Sequence, residues 1–560
     1  MTALHGDRSR ETGDRNQDRL VTTLSLLLLL VLVAVAHHSA LGGWWKIDDP
    51  QILLHALRNT PVETLFSPAR WQTLQTVSFT PLLTISFDVD AALFGPEPFF
   101  FYLHQLAATM IATLLLFVVL VPWCGRWVAL LTAAAVGVGP AMALGAGSLM
   151  IRHYVEGLVL ALLAIVAWRR GDPARPSLAR DGATALLYLA AVLAKEVYAP
   201  LPLLLAAELA LARVPLRRSA LRLAPSAAVA LAYLGWRVAM LGSLGGYGDP
   251  TPVRRLPGIL WTLFQRFFAS SPGPVFVLVP LLTIAAALVL VSRRPRAAAW
   301  MVGALLVAVL LPLFGVSGLA EARYGFVPLI AAVSVTGAGL GLLPRRAGLA
   351  AGVVLVVLHA LAGASLSRTM ERAEAASRAE GMYVWRSEAG APPLLASSPG
   401  WYLTGLRDLR RAAGGGEAPA IILSLEGIAA GAVPPEQVIR MDGHPPAPRP
   451  LDPGTRQHLR ELAARFDPSA PLRVRVAVQR HAVQWELGPD PSAAFTWLTV
   501  PEYDEYTIPP EGSLRVPLPS EPQRFRIRRD LPDGTWTLSP VFDLPGEGKA
   551  IEWQRGGRGA

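Results

Sequence analysis

The sequence predicts a polytopic α-helical membrane protein with a smaller α+β or β-sandwich-like domain at its C-terminal end. Three observations predict it. About eleven apolar segments, each near the roughly 20 residues that a bilayer-spanning helix needs, lie between Leu20 and Ser365. Arginines gather in short runs at alternate ends of those segments. From Leu472 the pattern changes to short stretches in which apolar and polar residues alternate. Composition agrees, since 52% of the 560 residues are hydrophobic and 16% charged, with a mean hydropathy of +0.40, too apolar for a soluble chain of this length. The net charge of +10 does not point to nucleic acid, because the arginines fall between apolar segments, where they orient helices. Cys124 is the single cysteine, which excludes an intrachain disulfide and a cysteine-based metal cluster.

Taken in order, residues 1–19 read as a cytoplasmic tail. The run 20–37 reads as a retained first helix rather than a signal peptide, because the tail mixes acids with bases and the run ends in His37-His38-Ser39-Ala40. A long first loop, 38–97, follows. Within it 50–58, 61–66 and 84–94 read as short helices lying in the membrane interface. The next expected spans are 98–121, 126–147, 149–168, 183–195, 198–212, 219–242, 273–292, 297–317, 323–343 and 347–366. A single helix over 183–212 would be about 45 Å long against a hydrocarbon core of about 30 Å. Lys195-Glu196, Pro200 and Pro202 therefore divide it in two. Counting two crossings places Arg169-Arg170, Arg217-Arg218, Arg293-Arg294 and Arg345-Arg346 on one side, which the positive-inside rule makes cytoplasmic. The membrane domain is thus 20–366, and everything beyond is extracytoplasmic: a charged connector, 367–386, and a domain, 387–560. In that domain 401–412 reads as a helix, 420–425 as a strand, 442–455 as proline-rich loop, and 472–478, 495–500, 514–517, 525–528 and 536–542 as strands of a small antiparallel sandwich.

With this parity four polar clusters reach the outer face: Asp48-Asp49, Arg152-His153-Tyr154, Lys195-Glu196 and Glu321-Ala322-Arg323-Tyr324. Asp49 before Pro50 is a helix start with proline at the first helical position. The same carboxylate can accept a proton from an acceptor hydroxyl. Lys195 and Arg323 either snorkel or pair with Glu196 and Glu321, or they hold the phosphate of a lipid-linked substrate. Arg152 and Glu156, four apart on one helical face, are placed to pair with each other. His104 is a lone histidine near the start of the second span. No glycine-rich phosphate loop follows a strand, and the histidines are too dispersed for a convincing metal site.

The order of Asp48-Asp49, Phe79-Thr80-Pro81-Leu82-Leu83-Thr84, Leu103-His104-Gln105-Leu106, Leu193-Ala194-Lys195-Glu196 and Glu321-Ala322-Arg323-Tyr324 resembles the GT-C superfamily of glycosyltransferases. Within it, the likeness is to bacterial relatives of the transmembrane O-mannosyltransferase-like proteins that often carry tetratricopeptide repeats. Here the repeats are absent. The resemblance covers about residues 20–365 and implies transfer of a hexosyl or mannosyl-type sugar from a polyprenyl-phosphate donor to an acceptor hydroxyl outside the cytoplasm, in the cell envelope. It implies a catalytic aspartate at Asp49 or Asp48, with Asp49 first; donor-phosphate contacts from Lys195, Arg323 and Arg152; and a pocket lined by His104, His153, Glu196, Glu321 and Tyr324. The lipid-linked sugar is the expected co-substrate, with no cofactor predicted and a divalent metal left open, and protein, glycan and lipid acceptors all stay open. A transporter or flippase for a lipid-linked or anionic substrate is the rival. Its sequence signs would be matched halves and polar residues at mid-membrane, whereas these residues gather at one face.

Overall fold

The computed structural model describes residues 5–243, 253–313, 321–429, 434–443, 445–479, 482–490, 493–500, 505–515 and 523–555. The ends of the expected span 297–317 and of the expected strand 514–517 lie outside them. The chain forms two compact units, one of residues 1–43 and 77–372, the other of residues 44–76 and 373–560. Part of the first loop, 44–76, thus belongs with the C-terminal residues rather than with the membrane domain to which the sequence assigned it.

The first unit is a helical membrane domain. Seven described helices are long and apolar enough to cross a bilayer by themselves. The first, His5–His37, already begins within the expected tail, as no proline interrupts residues 5–19. Pro98–Gly137 is two helices in one, broken at Gly125, whose φ of 73° an L side chain rarely adopts. After Gly139, Pro140–Gly147 completes what the sequence presents as one span, 126–147. Arg152–Trp168, Leu216–Leu241, Gly273–Arg293 and Phe326–Leu340 fall where apolar runs predict them. The break at Lys195 occurs as expected. Leu178–Ala194 ends there, Lys195 is extended (φ −152°, ψ 130°), a 3₁₀ turn covers Glu196–Tyr198, and Leu201–Leu211 resumes after Pro200. Leu256–Phe268 is a helix that hydropathy reading passes over, being 13 residues long and opening on Pro257-Gly258. The span 347–366 and the connector 367–386 are one helix, Arg345–Arg386.

Lipid explains the outer surface of this unit. Leu20, Leu24, Leu27, Leu28, Val31 and Val35 form an exposed stripe on the first helix, and Leu281, Ile284, Leu288 and Val291 another on Gly273–Arg293. Such continuous apolar faces at helical spacing are stable against hydrocarbon and not against water. Inside, small residues let helices approach closely. A Cβ added to Gly339 would lie 2.1 Å from the carbonyl oxygen of Ala286, and one on Gly337 would lie 2.3 Å from Thr132 Oγ1.

In the second unit, Asp49–Arg58, Pro61–Phe66 and Pro68–Leu74 each open with proline in the first turn. Thr60 and Glu63 form a capping box on Pro61–Phe66. A small mixed sheet runs Ile421–Ile422, Leu394–Leu395, Ile439–Asp442, Ala447–Pro450. The expected strand 420–425 is only its first two-residue edge, because a helix starts at Leu425, and the expected loop 442–455 contains its last strand. Beyond Leu472 two antiparallel sheets pack as a sandwich. One sheet is ordered Ala550–Arg555, Leu472–Gln479, Ala482–Gly488, Glu511–Arg515, and the other contains Trp536–Leu538, Arg524–Asp530, Ala494–Val500 and Glu505–Ile508. Leu472, Val474, Val476 and Val478 alternate inward and meet Phe495, Phe525 and Ile527 from the facing sheet.

Candidate functional site

Within the membrane unit two polar networks form. The first is built on Pro81–Phe94, whose buried positions Leu83, Phe87 and Asp90 follow one helical face. Asp90 is 2% exposed, and a carboxylate so placed needs a partner. Arg152 supplies it: Nη1 donates to Asp90 Oδ2 at 2.5 Å and to Ser86 Oγ at 3.2 Å, and Nη2 donates to the Phe101 carbonyl at 2.6 Å. The guanidinium also lies over the rings of Phe87 and Phe101, at 4.8 and 5.4 Å. Arg152 is therefore buried and paired with Asp90, while its Nε has no hydrogen-bond partner among the described residues. Nor does it pair with Glu156 as the four-residue spacing predicts. Glu156 accepts from Ser86 Oγ at 2.5 Å and faces His104 Nε2 at 3.5 Å. His104 Nδ1 is 2.8 Å from Asp90 Oδ1, so the half-exposed imidazole bridges two carboxylates.

The second network surrounds Lys195. The helix stops at Ala194, and the extended Lys195 turns its side chain over the Tyr154 ring, with Nζ 5.1 Å from the centroid. Lys195 is 7% exposed and within electrostatic range of Arg323 and Arg237. His153, also buried, feels both Lys195 and Arg323. Arg323 Nε pairs with Glu321 at 2.8 Å and lies 5.3 Å from the Tyr324 ring. Glu196 accepts from the Phe79 amide at 2.6 Å and pairs with Arg237, which also donates to the Val77 carbonyl at 3.1 Å. No carboxylate pairs with Lys195 among the described residues.

The structure thus gathers Lys195, Glu196, Arg323, Tyr324, Glu321 and His153 in one network, and Arg152 and His104 in another. Asp48 and Asp49 belong to the second compact unit. Sequence reading missed Ser86, Asp90 and Arg237. The phase of Leu83, Phe87 and Asp90 carried a signal, because it puts an acid on an otherwise apolar face. Arg237 carried none, being one arginine inside the long apolar run 219–242.

Around the acidic pair, Asp48 is the N-cap of Asp49–Arg58 and Asp49 its first helical residue, so the helix starts one residue earlier than the sequence predicted. The Asp48 side chain makes no capping hydrogen bond and is half-buried. Asp49 is 0% exposed, and its Oδ2 accepts from the Lys46 amide at 2.8 Å. Lys46 Nζ pairs with Glu374. Tyr402 donates its hydroxyl to the Trp45 carbonyl at 2.9 Å. Burial first, and then the carboxylates of Asp49, Glu380 and Glu374, push the Tyr402 phenol above its ordinary value, so it stays a donor.

No family model and no curated protein sequence matches this chain. Among solved structures it is similar to ArnT from Cupriavidus metallidurans, whose crystal structure is bound to undecaprenyl phosphate. The two share 14% sequence identity with a TM-score of 0.42, over 78% of this chain and 94% of that one. No group of three or more His, Cys, Asp or Glu is arranged to hold a metal ion among the described residues.

Proposed function

We propose that this protein is a membrane glycosyltransferase that moves a sugar from a polyprenyl-phosphate donor to an acceptor hydroxyl on the extracytoplasmic side. One observation carries this most directly. Lys195 is buried within electrostatic range of Arg323 and Arg237, no carboxylate pairs with it among the described residues, and an anion arriving there stabilises its charged form. A lipid phosphate is such an anion, and the order of motifs along the chain supports the same substrate. Lys195 and Arg323 hold the donor phosphate, with Arg237 and Glu196 fixing the Phe79 backbone beside them. Tyr324 and His153 line the pocket.

The acceptor oxygen attacks the anomeric carbon, the bond from that carbon to the phosphate oxygen breaks with inversion, and the acceptor proton passes to an aspartate. The cations stabilise the charge that develops on the departing polyprenyl phosphate. Asp48 is the better candidate for the base, because Asp49 has no exposed surface and its carboxylate is held by the Lys46 amide. Arg152 is a positioning residue that holds Asp90 and, through it, His104.

Transfer assays on purified protein with a polyprenyl-phosphate sugar test this. Lys195→Met is expected to weaken donor binding by about tenfold or more, the size of one charge-assisted contact. Asp48→Asn is expected to abolish transfer while leaving donor binding intact. Full transfer by the Asp48→Asn/Asp49→Asn double variant would remove the mechanism, and unchanged donor binding in Lys195→Met would remove the phosphate site.

A further inference from the structure

Two cavities in the membrane unit meet at Trp123, Arg169 and Glu208, and the apolar one runs from there to Val197, Tyr198 and Val327. One, of about 190 Å³, lies among Leu116, Leu162, Leu205 and Ile330 and is almost wholly apolar. The other, of about 350 Å³, is lined by Trp168, Arg169, Pro173, Glu208, Arg222 and Arg294. Trp123, Arg169 and Glu208 line both. Arg169 Nε donates to Glu208 Oε1 at 2.8 Å and Nη1 to the Val119 carbonyl at 2.6 Å, so this ion pair forms a collar between a charged chamber and an apolar one.

The charged chamber is positive. Arg222, 1% exposed, is clamped against the Trp168 ring at 3.7 Å, with Asp181 at 3.3 Å and the carbonyls of Pro173 and Trp168 at 2.7 and 3.0 Å. Arg294 is exposed, and no carboxylate pairs with it among the described residues. Three guanidinium groups in the lining, opposed by Glu208 alone, leave an excess of positive charge after Asp181 is counted against Arg222. A ligand that fills both chambers must be anionic at one end and apolar at the other. Basic pockets between membrane helices suit the headgroups of anionic lipids.

We propose that this end of the membrane unit is a binding site for an anionic phospholipid, its phosphate beside Arg294 and an acyl chain beyond the Arg169–Glu208 collar in the apolar cavity. The charged chamber shares no residue with the glycosyl-transfer reading, whose Lys195 and Glu196 stand next to the other end of the apolar cavity at Val197 and Tyr198.

Native mass spectrometry of the delipidated full-length protein, incubated with phosphatidylglycerol or phosphatidylcholine, tests it. Phosphatidylglycerol is expected to stay bound and phosphatidylcholine to dissociate. Arg294→Glu, at an exposed position where folding is unaffected, is expected to weaken phosphatidylglycerol retention about tenfold. Ala331→Phe, which fills the apolar chamber, is expected to weaken it as well, and Lys195→Met to leave it unchanged. Equal retention of phosphatidylcholine, unchanged retention in Arg294→Glu, or displacement by inorganic phosphate alone would overturn the proposal. Loss of the lipid in Lys195→Met would do so too, because the headgroup would then lie at the opposite end.

Discussion

Replacing Arg152 by methionine separates a structural role from a ligand role at this position. Arg152 and Asp90 are 0% and 2% exposed, and the guanidinium makes three hydrogen bonds and lies over two aromatic rings. Methionine keeps the stem's volume and deletes the charge, leaving the Asp90 carboxylate buried with His104 Nδ1 as its remaining polar neighbour in this network. Removing one partner of a buried pair costs about 3–5 kcal/mol, most of it the price of the stranded charge. Adding Asp90→Asn removes that charge, so the double variant should recover at least half of the loss. Denaturant titration of the detergent-solubilised protein, followed by tryptophan fluorescence, measures both. A variant Arg152→Met as stable as the parent, but with weakened binding of polyprenyl phosphate, would refute this reasoning and restore Arg152 to the donor-phosphate contacts that the motif order implies.

Further outcomes are expected elsewhere in the chain. Burial pushes the His55 imidazole down to about 4 from its usual 6.5. The unfolded chain then binds a proton below pH 6.5 that the folded chain refuses until about pH 4, so stability falls across that window as pH drops, by about 3 kcal/mol in all. Denaturant midpoints measured at pH 7 and pH 4.5 should lie closer together in His55→Gln than in the parent, and an unchanged pH dependence in that variant would dismiss His55 as a source of it. Gly339→Ala should cost about 1–3 kcal/mol, because the new Cβ meets the backbone of Gly273–Arg293 rather than a side chain that can move. A thermal-shift measurement in detergent reads this, and an unchanged midpoint would mean that those helices can separate freely.

Local pattern carried the architecture. Apolar runs of bilayer length mark the principal helices, Pro200 and Lys195 mark the break near the middle of the unit, and the two-residue alternation from Leu472 marks the sandwich, because each follows from the periodicity of one element. The same logic singled out Lys195, Arg323 and the acidic pair as candidates, because they are unusual for where they stand along the chain. It misjudged partners. Arg152 and Glu156 are four apart and do not pair, whereas Arg152 and Asp90 are 62 apart and do. Charge pairing inside a bundle is decided by which helix faces meet, and hydropathy does not encode that.

What the sequence determined by itself is therefore a membrane domain followed by a β-rich one, with a small set of polar residues in apolar surroundings. Only the tertiary structure decided which of them are occupied. It buried Arg152 and Asp49, left Lys195 without a carboxylate among the described residues, brought Arg237 to Glu196, and assigned residues 44–76 to the second unit. The physical reason is that burial and pairing depend on contacts between segments far apart in the chain, while length, periodicity and composition are properties of each segment alone.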